Sequence, residues 1–334
     1  MTVRNLVLIF VLALLGLGPA RAAESGQNRP NVGAPAKTVS PGKRVEVTYT
    51  KTGAKVVSGG ATASTPAASK ADSSSNAAAD KLNIKSSAAM VFDVNEGRTL
   101  YAKHADQLTA IASITKLMTA MVVIDAGLPL DEPIRIDRAD IDTRKHTGSR
   151  LRVGSSFTRR DLLHLALMSS ENRAANALGR TYPGGLTAFV ARMNARAAEL
   201  GMVNTRFVEP TGLSSENVST AQELALLVQA SLNYPLIRNF TTTRRAQVYT
   251  ADTKRVHVFG NSNGLVSNPA WHINLSKTGY ISESGRCLVM HARIINRPMI
   301  IVLLDSWGKY TRIGDANRIK KWLESRAAHL AHAS

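Results

Sequence analysis

The sequence is short of the parts that a disulfide-stapled, metal-dependent or membrane-spanning protein needs. Cys287 is the only cysteine in 334 residues, so no intramolecular disulfide can form. It sits in "RCLVM", an apolar strand-like run where a small buried core residue is expected rather than a nucleophile. The eight histidines are scattered, with no H-E-x-x-H and no paired ligand spacing, so no metal or cofactor is implied. His104, His146 and His272 are expected to be surface or packing residues. Acidic residues are also scarce: 24 against 42 basic, a formal charge of +18. The excess is spread along the chain, which suits long-range attraction to a polyanion such as a wall polymer, a membrane surface or nucleic acid. Only one long apolar run exists, Leu6 to Leu17 after Arg4. It is too short for a finished span, which needs roughly 20 residues. Gly18, Pro19 and the small-residue site Ala20-Arg21-Ala22 follow it, so residues 1–22 read as a secretory signal peptide cleaved after Ala22 or Ala23. Export makes wall and membrane the favoured anionic surroundings and counts against nucleic acid.

What is present begins with a segment, 23–85, dominated by Ser, Ala, Gly, Pro and Lys, which reads as a flexible linker. Its one strand-like piece, "RVEVTYT", is too short to stay folded alone. The folded part is expected at 86–330. "AAMVFDV", "NEG" and "RTLYAKH" read as a β-hairpin, and Ser113 to about Ala126 as a helix stopped by Gly127 and Pro129. Extended pieces "EPIRI" and "SRLRV" lead into helices in "TRRDLLHLALMSS", "NRAANALGRTY", "GGLTAFVARMNARAAELGM" and "TAQELALLVQASL". "WHINLSKTGYI", "RCLVMHARII" and "PMIIVLLDSW" read as an antiparallel meander, and about Arg312 to Leu330 as a closing helix. The fold class is α/β (α+β): both chain ends build one antiparallel sheet flanked by helices, and a helical lobe, about 137–240, is inserted. The cleft between them is the natural place for a site.

Within "IASITKLMTA" Ser113 and Lys116 are three apart, so on a helix their side chains lie within reach. A serine hydroxyl attacks once a base takes its proton, and a lysine can be that base if burial favours its neutral form. Ile111, Ile114, Leu117, Met118 and Met121 supply the desolvation. Alone, S-x-x-K is as well explained by a capping serine and a solvent-reaching lysine. Ser170-Glu171-Asn172 falls at a helix junction, where hydroxyl and amide could relay a proton and hold a substrate amide, although Ser-Glu-Asn is also a good cap. Lys277-Thr278-Gly279 lies on a predicted strand. Its lysine and hydroxyl suit a carboxylate, and Gly279 would let a substrate backbone approach. Lys51-Thr52-Gly53 repeats that triplet within the linker and is taken as chance.

The order S-x-x-K, S-x-N, K-T-G resembles the penicillin-binding proteins and serine β-lactamases. "IASITKLMTAMVVIDAGLPLDE", "ALMSSENRAANALG", "NTRFVEPTGLS" and "KTGYISESGRCLVM" resemble the D-alanyl-D-alanine carboxypeptidase family, peptidase S11, and within it the D-alanyl-D-alanine endopeptidase branch. The resemblance spans roughly Ser86 to Leu323 and implies a serine β-lactamase/transpeptidase-like fold. It implies Ser113 as the acylated nucleophile, Lys116 as its base and Ser170 as the relay to the leaving amine. Asn172 would hold the substrate amide. Lys277 would keep Lys116 neutral and, with Thr278, bind a carboxylate. The N–H groups of Ser113 and Tyr280 would form the oxyanion hole. Implied partners are peptidoglycan stem peptides and cross-links, and β-lactam inhibitors, in the periplasm with at most loose membrane association. About 27 residues follow Trp307, room for one helix and no further domain, which favours the endopeptidase. Two other readings stand beside it. A β-lactamase would need a deacylating base, for which Glu209 in "EPTGLS" is the candidate. A non-catalytic wall-binding protein would need no intact motifs.

Overall fold

The computed structural model describes residues 82–251 and 253–333. The signal peptide, the linker up to residue 81, "RVEVTYT" and the early Lys51-Thr52-Gly53 lie outside the described residues. β1 (Ala88–Asp93) and β2 (Arg98–Lys103) form the expected hairpin, followed by β3 (Thr109–Ala110). A 3-10 turn, Ala112–Thr115, leads into α1 (Lys116–Asp125). β4 (Pro133–Arg135) pairs with β5 (Ser156–Thr158), and then come α2 (Arg159–Met168), α3 (Asn172–Arg180) and α4 (Gly185–Glu199). β6 (Val218–Ser219) pairs with β3, and α5 (Ala221–Ser231) and α6 (Pro235–Thr242) follow it. A hairpin of β7 (Arg245–Tyr249) and β8 (Val256–Gly260) precedes the meander β9 (His272–Ile281), β10 (Gly285–Ile294) and β11 (Arg297–Ser306). α7 (Thr311–Ala333) closes the chain.

The two ends do build one sheet. Its order is β2-β1-β11-β10-β9, antiparallel throughout, with Ala88 opposite Leu304 and Asp93 opposite Met299. Period-two alternation gives this sheet two apolar faces. Ala88, Met90, Val289, Ile300, Val302 and Leu304 pack towards the helices of the middle segment. Ala89, Val91, Leu288, Ile301 and Leu303 pack on the other face, with Ala316, Ile319 and Leu323 of α7. β9 is left as an edge strand, with one row of backbone groups unclaimed by the sheet.

Four features depart from the sequence expectation. Ser113 lies in the 3-10 turn and Lys116 is the first residue of α1, so the nucleophile candidate precedes the α-helix instead of starting it. "SRLRV" is loop, because the partner of β4 lies further on, at Ser156–Thr158. α6 and the β7–β8 hairpin were not anticipated, and the hairpin bonds back to the middle segment, Ala251 N–H to Ser156 O at 2.7 Å. Ordered packing also begins before Ser86. Leu82 and Ile84 are buried against Trp271, Leu265 and the outer sheet face, and Asp315 of α7 accepts from the N–H groups of Lys85 (2.9 Å) and Ser86 (2.7 Å).

Candidate active site

The chain reaches Ser113 through Ala112, a non-glycine residue at φ +45°. That left-handed conformation is strained and persists only where the surroundings over-determine it. Here Ile111 N–H donates to Asn217 O at 3.0 Å. Gly212 packs so closely that a Cβ would stand 1.9 Å from Ala112 O. Ile111, Ala112 and Ile114 are fully buried while Ser113 keeps partial exposure. A serine is thus presented at the surface of an otherwise rigid turn.

Lys116 is fully buried. Its Nζ lies 2.8 Å from Ser113 Oγ, 2.7 Å from Asn172 Oδ1 and 2.5 Å from Thr211 O. Burial pulls its pKa down to about 7, against the opposing charges of Glu209, Glu171 and Asp142. A neutral amine keeps two N–H donors, which Asn172 and Thr211 can take. Its lone pair is then left facing Ser113 Oγ. This is the geometry of a base within reach of its nucleophile.

Ser170, also left-handed at φ +63°, sits between α2 and α3. Its Oγ accepts from Lys277 Nζ at 2.8 Å, and that Nζ also donates to Thr278 O at 2.8 Å. Lys277 is buried, and its pKa falls well below the usual value because of burial first, then the charges of Lys116 and Arg312. Burial is the first cause for both lysines, and the repulsion between the two ammoniums adds to it in lowering Lys277. Thr278 Oγ1 donates to Ser262 Oγ at 2.8 Å. At Gly279 a Cβ would meet Ile111 O at 2.9 Å and Ser113 N at 3.1 Å. The close approach it permits is that of the protein's own nucleophile turn. Tyr280 is exposed and carries the Arg286 guanidinium 4.3 Å from its ring centre.

The structure thus brings the five residues together from three distant segments as two hydrogen-bonded groups, Ser113–Lys116–Asn172 and Ser170–Lys277, which interact through the charges of the two lysines. Several members carried no signal in the sequence reading. Thr211 contributes a carbonyl, which any residue has. Arg312 is half-buried, with Nε and Nη1 lacking a partner, and is close enough to depress Lys277. Glu209 is no free base. Its oxygens accept from Thr211 N–H (2.7 Å) and Oγ1 (2.5 Å), Gly212 N–H (2.6 Å), Ser214 N–H (3.3 Å) and Asn217 Nδ2 (3.1 Å). It ties the loop that presents Thr211 O to Lys116. Cys287 is buried with its thiol pushed up to about 11, as befits a packing residue.

Residues 73–308 match the D-alanyl-D-alanine carboxypeptidase family, peptidase S11. A D-alanyl-D-alanine endopeptidase of Pseudomonas aeruginosa is 50% identical over 242 residues, covering 72% of this chain and 78% of that one. Its Escherichia coli counterpart is 49% identical over 247 residues, covering 74% and 80%. The crystal structure of the Streptomyces K15 DD-transpeptidase superposes with a TM-score of 0.67 at 29% identity, over 72% of this chain and 97% of that one. With the family match spanning most of the chain and a buried lysine beside a presented serine, this protein belongs to the peptidase S11 family of D-alanyl-D-alanine carboxypeptidases.

Proposed function

We propose that the protein is a serine D-alanyl-D-alanine peptidase that hydrolyses peptidoglycan cross-links through an acyl-enzyme on Ser113. The observation that carries this is Lys116 Nζ at 2.8 Å from Ser113 Oγ with a pKa near 7. Neutral Lys116 takes the hydroxyl proton as Oγ attacks the D-alanine carbonyl. N–H groups of Ser113 and of Tyr280, on the open edge of the sheet, receive the oxyanion. The proton now on Lys116 passes by way of the Ser170 hydroxyl, held by Lys277, to the departing amine, which leaves Lys116 neutral and Ser170 protonated again, and water then releases the acyl group. Asn172 Nδ2 holds the substrate amide. Lys277, Thr278 and the unpartnered Arg312 suit a substrate carboxylate. Penicillin acylates the same serine.

Preference for the cross-link over the terminal D-alanine rests on identity. Two D-alanyl-D-alanine endopeptidases stand at 49–50%, and the D-alanyl-D-alanine carboxypeptidases of Bacillus subtilis and Streptomyces at 29% and 32%. A periplasmic location follows from the signal peptide reading. Among the described residues no helix is long and apolar enough to cross a membrane. Digestion of purified muropeptides tests the substrate: cross-linked dimers should be cut faster than monomeric pentapeptides lose D-alanine, and the reverse order would sink the preference. Labelling with a fluorescent penicillin tests the class. A wild type without an adduct on Ser113 would be a wall-binding protein, and one that turns the drug over rapidly a β-lactamase.

A further inference from the structure

Asn172 needs its carbonyl oxygen on Lys116 and its amide nitrogen turned away, and both ends of an amide have the same shape. Something must set which end points where. Its Nδ2 donates to Thr147 Oγ1 at 3.0 Å. Thr147 Oγ1 gives its own proton to Asp142 Oδ2 at 2.7 Å. A hydroxyl that has committed its proton to a carboxylate can only accept from any further partner. Asp142 therefore dictates the direction of every bond that follows, through Thr147, Asn172 and Lys116 to Ser113.

Asp142 is itself fixed. Oδ1 accepts from the N–H groups of Arg144 (2.8 Å) and Lys145 (3.0 Å), and Oδ2 from that of Thr147 (2.9 Å). Burial would raise its pKa, but these hydrogen bonds outweigh burial and hold it below the ordinary carboxylate value. The segment is pinned at a second point by the ion pair of Lys145 with Glu283 in the β9–β10 turn. Residues 142–147 thus form a bracket from the start of α3 to the strand that carries Lys277.

We propose that Asp142 and Thr147 are positioning residues that set the polarity of Asn172 and, through it, the lone pair of Lys116. The inference rests on Ser113 and Lys116 being nucleophile and base, and neither positioning residue touches Ser113. It has an electrostatic corollary. Asp142, Glu209 and Glu171 each favour the protonated form of Lys116, while burial opposes it, as does the charge of Lys277, which interacts with Lys116. Removing the Asp142 charge alone lets burial act further.

The test is the second-order rate of Ser113 acylation by a fluorescent penicillin across pH, with unfolding curves for each variant. Thr147→Val keeps the shape and removes the acceptor, and should slow acylation about tenfold, the loss of one oriented hydrogen bond. Thr147→Ser should restore the rate. Asp142→Asn should move the acid limb of the profile to lower pH, a displacement that a purely structural role would not produce. Thr147→Val as fast as wild type, Thr147→Ser as slow as Thr147→Val, or an unmoved limb in a folded Asp142→Asn would each overturn the proposal. If Asp142→Asn does not fold, the Thr147 pair decides alone. A wild type that never acylates on Ser113 defeats the nucleophile reading before any variant is compared, and the proposal falls with it.

Discussion

An ordinary lysine ammonium gives up its proton near pH 10.5, whereas Lys116 does so near 7 because its burial leaves the charge poorly solvated. The base form therefore dominates above about pH 7. Acylation of Ser113 should rise with pH through that value and fall away below it, read as the penicillin acylation rate from pH 5 to 9. A limb near 10 would mean that Lys116 is an ordinary ammonium in solution and that another group is the base. Linkage fixes the sign for stability. Between pH 10.5 and 7 the unfolded chain binds a proton that the folded one does not, so folding weakens as pH falls through that window. At this scale the sequence was readable where chemistry is conspicuous. A serine and a lysine three apart, a Ser-Glu-Asn and a Lys-Thr-Gly announce themselves by side-chain type. The carbonyl of Thr211 and the guanidinium of Arg312 do not, since every residue has a carbonyl and arginines are plentiful in this chain. Asp142 and Thr147 were hidden likewise, in a loop without periodicity.

At the scale of elements, the site depends on how tightly the Glu209–Ser214 loop and β9 press on the turn before α1. Gly212 is left-handed at φ +80°, and its Cβ would fall on the Ala112 backbone. Gly97 is also left-handed, at φ +62°, with nothing within 4 Å. Gly212→Ala should cost about 2–4 kcal/mol in urea unfolding and most of the activity, while Gly97→Ala should cost about 1 kcal/mol and spare it. Equal losses would assign the whole effect to backbone conformation and none to the contact with the nucleophile turn. β9, β10 and β11 were legible because their apolar residues sit on both faces of a buried sheet and dominate ten-residue runs. "SRLRV" alternates too, but β4 finds its partner at Ser156–Thr158, and pairing overrides local pattern. α6 is eight residues long, too few turns for a periodic signal, and its place is decided by contacts far away in sequence.

For the whole molecule, the first described residues matter as much as the last. Leu82 and Ile84 fill the outer core, and Ser86 supplies hydrogen bonds to the buried carboxylate of Asp315. Burying each aliphatic side chain contributes about 1.5–3 kcal/mol. A chain starting at Ala88 should thus be less stable than one starting at Leu82 by on the order of 3–6 kcal/mol, a large share of a domain's total. Urea midpoints of the two forms measure it, and equal midpoints would show that the segment is dispensable. The pairing of β1 with β11 has one more consequence, for timing. A chain is made from its N-terminus, so the Ala88–Asp93 strand waits for its neighbour until residues 297–306 exist. The serine, its lysine and the strand carrying Lys277 meet only when synthesis is nearly over. A chain that stops before residue 297 lacks the strand that joins β10 and β9 to β1, so an adduct on Ser113 is expected only once that strand has been made.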